Sequence, residues 1–124
     1  MLIKVSNGCL ADKLTIASLK IRYIKEGKKL KSAKSEYIGL SEKYKTIGSV
    51  AGMKHLYNQL FDCNNTLWIV NEKIREYEAN GCYDDAFIGL ARELYKKNDL
   101  RSHIRSKINS LSCSEIIEVK SFKK

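Results

Sequence analysis

The sequence has no proline and only seven glycines in 124 residues. Turn-dense all-β folds depend on both residue types, whereas long helices do without them. Long apolar runs are also missing. The longest clean one, Leu67-Trp68-Ile69-Val70, is far short of the ~20 residues a membrane-spanning helix needs. The opening stretch MLIKVSNG carries no apolar signal-peptide core of ~7–15 residues. A cytoplasmic location without a membrane partner is therefore expected.

Chemistry-bearing patterns are scarce as well. Cys9, Cys63, Cys82 and Cys113 form no C-x-x-C pair, and no histidine lies at metal spacing from them. This argues against a zinc site and for free thiols, with Cys63 packed as a small apolar residue. No metal and no cofactor is expected. His55 and His103 are the only histidines, and no Ser-His-Asp, Walker or dinucleotide-binding pattern occurs. A non-enzymatic role follows more naturally than a catalytic one. Asp12 with Lys13, or Trp68 with Asn71 and Arg75, could line a pocket, though a tryptophan is more often core.

What is abundant is positive charge. The net charge is +9 and the pI about 9.4, which suits a nucleic-acid or phosphate partner. Only five of the 23 basic residues are arginine, and lysine, isoleucine, asparagine and tyrosine are all plentiful, the mark of A/T-rich codons. The charge is also unevenly spread: residues 20–34 sum to +6 and residues 72–93 to −3. Basic and acidic segments flanking turns at one end of a bundle neutralise each other in part. Basic residues are not interleaved with aromatics, as they are in single-strand binders. Nucleic acid is possible on charge alone but not favoured.

The apolar periodicity is helical. Leu10, Leu14, Ala17, Ile21 and Ile24 mark one face, and Ile16, Leu19 and Tyr23 a second, so this helix has neighbours on both sides. Ser6-Asn7-Gly8 caps it and Gly27 stops it. A narrower stripe, Leu30, Ala33, Tyr37, Leu40 and Tyr44, marks a second helix of about 17 residues, before a break at Gly48 to Gly52. Met53, Leu56, Leu60, Cys63, Leu67, Val70, Ile74 and Tyr77 form a coiled-coil-like seam. Asn80-Gly81 ends it, and Asp84-Asp85 opens a fourth helix with the stripe Phe87, Leu90, Leu94, Ile104, Ile108, Leu111. Leu2–Val5 and Ile116–Val119 are short, β-branched and plausible strands that pair with each other. The fold class is mainly α: one domain, 1–124, of four antiparallel helices in two hairpins, the second longer, with short N- and C-terminal β-strands.

Lengths then suggest an interface. Helices three and four run about 28 residues, ~42 Å, against about 17 residues, ~25 Å, for helices one and two. The longer hairpin should project beyond the shorter one and expose Met53, Leu56, Ile104, Ile108 and Leu111, a patch of the kind that marks an interface. A homodimer is the expected consequence.

One stretch resists the pattern. In ELYKKNDLRSHIRSKIN, residues 93–109, Lys97, Asn98 and Arg101 interrupt the apolar stripe. Three explanations stand. Asn98 or Asp99 caps a new helix. Arg101 forms a buried pair with Asp12 or Asp99 that fixes register. Or Asn98, Arg101 and Arg105, together with the free amides at Asn7-Gly8 and with Lys13, cradle an anion.

Two stretches carry a resemblance. VSNGCLADKLTIASLKIRYI resembles the opening of a family of short uncharacterised bacterial and cyanophage proteins that begin V-S-x-G-E-L-x-D-K-x-T-I-L-E-I-K. LWIVNEKIREYEANG and FIGLARELYKKNDLRSHIRSKIN resemble its second half. Cys9 and Ala17-Ser18 depart from the family's Glu and Leu-Glu. The resemblance implies a domain of unknown function, with Gly8, Asp12, Lys13, Thr15, Asn98 and Arg101 inside its recognisable stretches. A fainter, fold-level likeness is to the all-helical chorismate mutase type, whose inward arginines Arg22, Arg75, Arg101 and Arg105 could supply in number. The combined reading is a small helical binding or assembly module, self-associating and non-enzymatic. The alternative is a binder of an acidic small molecule or nucleic acid through Arg101, Arg105 and the start of the first helix.

Overall fold

The computed structural model describes residues 4–113, which form four helices: α1 (Asn7–Tyr23), α2 (Gly27–Gly48), α3 (Met53–Ala79) and α4 (Asp85–Leu111). The helix starts follow from local chemistry. Ser6 Oγ accepts the Cys9 amide at 3.0 Å, and Asp84 Oδ1 accepts that of Phe87 at 3.1 Å. Both satisfy amides that have no partner within their own helix. Between α2 and α3 the chain turns in four residues, and Gly52 takes a φ of 86°, a left-handed conformation that glycine adopts without penalty.

α1 is the hub. It packs against each of the other three helices, α3 and α4 pack along each other, and α2 lies on α1 with only slight contact to α3. This explains the two apolar faces of α1. Ala11, Leu14, Ala17 and Leu19 are all buried. The register along α1 and α4 runs in opposite senses: Gly8 meets Asn109 and Asp12 meets Arg101. The central cluster joins Ala11, Ile47, Met53, Leu60, Cys63, Leu67, Ile104 and Ile108.

Three expectations change. First, α2 spans 22 residues rather than about 17, because it begins at Gly27, expected only as the stop of α1, and runs to the expected break at Gly48, with Ile47 in the core. Second, Met53, Ile104 and Ile108 are not an exposed interface: they are buried within the single chain, with Ile108 wholly inaccessible. Ile47 at the end of α2 and Ala11 in α1 join them in one core cluster. Leu56 is half-buried, and Leu111 remains 40% exposed. Third, α4 is one continuous helix, so neither Asn98 nor Asp99 caps a new one. The expected strands Leu2–Val5 and Ile116–Val119 lie largely or wholly outside the described residues; Lys4 and Val5, which are described, are not in a strand. Among the described residues no helix is long and apolar enough to cross a membrane.

Candidate functional site

The polar interruption in α4 resolves into an ion pair with α1. Asp12 lies on the inner face of α1 beside Ala11 and Thr15, and its side chain is only 4% exposed. Arg101 reaches it from α4. Nε lies 3.0 Å from Oδ1 and 3.1 Å from Oδ2, and Nη2 lies 2.5 Å from Oδ2. Arg105, one turn on, brings Nη1 to 3.5 Å from the same Oδ2. α3 contributes Asn64, whose Nδ2 donates to Asp12 Oδ1 at 2.8 Å and to Thr15 Oγ1 at 2.7 Å. Thr15 Oγ1 in turn donates to the Asp12 carbonyl at 2.7 Å. One carboxylate thus draws side chains from three helices.

Burying a carboxylate costs several kcal/mol unless charge and hydrogen bonds replace its water. Here the Asn64 amide and two guanidinium groups do so. Hydrogen bonding to Asp12 raises the Arg101 pKa further above its ordinary value, against the opposing effect of burial. Two cations face one anion, so the cluster is net positive at its partly open side. Nearby, burial pushes the Cys63 thiol up despite Lys97 and Arg101, and the thiol donates to the Lys97 carbonyl at 3.2 Å.

Arg101 also lines a recess of about 160 Å³, together with Asn64, Asn71, Asn98 and Trp68 over an apolar floor of Ile16, Leu19 and Leu67. Trp68 is stacked on Tyr23 with ring centroids 5.3 Å apart, and the Tyr23 hydroxyl donates to Asn65 Oδ1. The indole is therefore held from behind. The recess offers a guanidinium, three amides and a flat aromatic wall, with no histidine and no nucleophile.

The predicted anion cradle is divided. Asn98 and Arg101 share the recess, and Arg105 stays on Asp12. The start of α1 is occupied by protein: the Gly8 amide donates to Asn109 Oδ1 at 2.6 Å, and Asn7 Nδ2 donates to Ser112 Oγ at 3.0 Å. A Cβ at residue 8 would fall 3.0 Å from the Arg105 carbonyl carbon and closer still to its oxygen. α1 and α4 touch backbone to side chain there, and no anion fits between them. Lys13 is exposed and lines a different recess with Lys20 and Glu36. Of the Trp68, Asn71 and Arg75 grouping, the first two line the recess and Arg75 does not. The four-arginine set is likewise not assembled, since Arg22 lies over the Phe61 ring at 5.7 Å and Arg75 is exposed.

Sequence reasoning missed Asn64, Asn109 and the part played by Thr15. A signal existed for Asn64: it stands four residues after Leu60 and three before Leu67, a polar residue on the core face of a clean heptad seam. Among the described residues no group of three His, Cys, Asp or Glu is placed to hold a metal.

The whole chain, residues 1–124, matches the model of a family described as of unknown function, DUF6165. No curated protein and no solved structure is similar to it.

Proposed function

The chain belongs to that family, whose description assigns no activity, and we propose from the geometry that it is a small helical binding module that takes an acidic small molecule in the Arg101 recess. The observation that carries this reading is the double use of Arg101. Its guanidinium is fixed by a buried carboxylate, so it is held in place before any ligand arrives, yet it lines an open recess with Asn64, Asn71 and Asn98. Preorganised donors lose little freedom on binding. A guanidinium beside amide groups suits a carboxylate or a phosphate oxygen. At about 160 Å³ the recess lies below the ~300 Å³ of sites for drug-sized ligands, which favours inorganic phosphate or a short dicarboxylate over a nucleotide.

The antiparallel ordering of the four helices belongs to the same reading, since it brings the middle of α1 opposite the middle of α4. So does a non-enzymatic role in the cytoplasm.

Titration with inorganic phosphate, sulfate and malonate, followed by thermal unfolding, tests the proposal. Saturable stabilisation is expected, amounting to about 2.7 kcal/mol at a hundredfold excess over Kd. Asn71→Ala and Asn98→Ala, at exposed positions, should weaken that stabilisation while leaving the unliganded melting temperature nearly unchanged. Stabilisation by none of the three anions, or equal stabilisation in both variants, would overturn it.

A further inference from the structure

Three recesses adjoin in series along α4, the first lined by α4 alone and the second and third bordered by α3. The first, about 460 Å³, and the second, about 260 Å³, share Lys97 and Leu100. The second and the third, about 490 Å³, share His103 and Lys107. The series runs from Gly89 to Leu111, 22 residues of helix, or ~33 Å. Leu56, Leu100, Ile104 and Leu111 give it an apolar floor, with Leu100 and Leu111 each about two-fifths exposed. Arg92, Lys96, Lys97 and Lys107 line it against Glu93 and Asp62.

We propose that this α3/α4 groove docks an acidic amphipathic helix from a partner protein. Leu100 and Leu111 stand eleven residues apart on one face of α4, three helical turns, where they can meet two apolar residues of an incoming helix spaced likewise. The cationic lining sets the sign of that helix's polar face and its direction of approach. A ~33 Å trough accepts about 20 helical residues. A second copy of this chain is the weaker occupant, because each copy brings a net charge of +9 and like charge opposes close approach. A nucleic acid is weaker too, because the floor is aliphatic and His103 is the one ring in the lining on which a base could stack. The groove and the Arg101 recess share no lining residue, so the two sites are tested separately.

The probe is a fluorescein-labelled helix-forming peptide of about 20 residues, with leucines at i, i+4, i+7 and i+11 and glutamates on the remaining face. Its control carries lysine for each glutamate. Fluorescence anisotropy should show the acidic peptide binding at least tenfold more tightly than the lysine version. Leu100→Asp with Leu111→Asp, and separately Lys96→Glu with Lys107→Glu, should each weaken binding at least tenfold, with circular dichroism confirming retained helix. Asn98→Ala should leave it unchanged. Equal binding of both peptides, indifference to either double variant, displacement of the peptide by single-stranded RNA at lower concentration, or a sedimenting dimer that excludes the peptide would each overturn the proposal.

Discussion

Arg101 holds Asp12 with two nitrogens at once, Nε spanning both carboxylate oxygens and Nη2 closing on Oδ2, across 89 residues of chain. The pair joins α1 to α4, and Asn64 extends the join to α3. Few other polar contacts reach so far along the sequence, and this one sits where the apolar stripe of α4 is interrupted.

Removing the carboxylate leaves two guanidinium groups facing each other over an apolar interior. Asp12→Ala should therefore cost about 3–5 kcal/mol, read by urea unfolding at neutral pH. In a double-mutant cycle with Arg101→Ala, a coupling above ~1 kcal/mol is expected. A coupling indistinguishable from zero would mean that Arg105 replaces Arg101 fully.

Gly8 and Gly39 should respond in opposite directions. A Cβ at residue 8 meets the Arg105 carbonyl, which is backbone and yields little; Gly8→Ala should destabilise by about 1–3 kcal/mol. Nothing lies within 4 Å of a Cβ at Gly39, so Gly39→Ala in the middle of α2 should stabilise by roughly 0.5–1 kcal/mol. Thermal unfolding of the two variants side by side makes the comparison.

Ile108 and Leu111 separate core from surface. Ile108 is fully buried and Leu111 is 40% exposed. Ile108→Asp should cost more than ~4 kcal/mol and abolish cooperative unfolding, whereas Leu111→Asp should stay within about 0.5 kcal/mol of the parent. Loss of helical circular dichroism in the second variant but not the first would contradict this packing.

Burial raises the phenols of Tyr44 and Tyr57, each to about 12, and their rings lie 5.4 Å apart. In the unfolded chain a tyrosine ionises near ~10. Because the folded value is the higher one, these groups contribute stability that is complete below about pH 10 and is lost as pH rises towards 12. Alkaline unfolding should begin in that window, and Tyr44→Phe should flatten the fall. An absorbance titration in which all seven tyrosines ionise together near pH 10 would contradict it.

The helix count, the caps at Ser6 and Asp84, and the anomaly at Arg101 were legible because each leaves a local mark: a period, a short polar side chain before an apolar run, or a charge on an apolar face. The length of α2 was not. Gly27 reads as a helix stop, and its place as the first residue of α2, with no side-chain cap from Glu26 before it, leaves no local mark. The burial of Met53, Ile104 and Ile108 was not legible either, because it depends on how the ends of α1 and α2 pack over them. Asp12 was named as a possible partner of Arg101, but the choice between Asp12 and Asp99 needed the third dimension. Asn109 was illegible for a different reason: an amide beside Ile108 carries no sign that its acceptor is aimed at a glycine 101 residues earlier.

Synthesis runs from the amino terminus, so α1 leaves the ribosome before its anchors on α4, which lie 89 and 101 residues further on, are made. Until Arg101 and Asn109 emerge, Asp12 has no counter-charge and the Gly8 amide no acceptor from the chain. The hub of the molecule is thus translated well before the side chains that secure it, and its completion waits on α4.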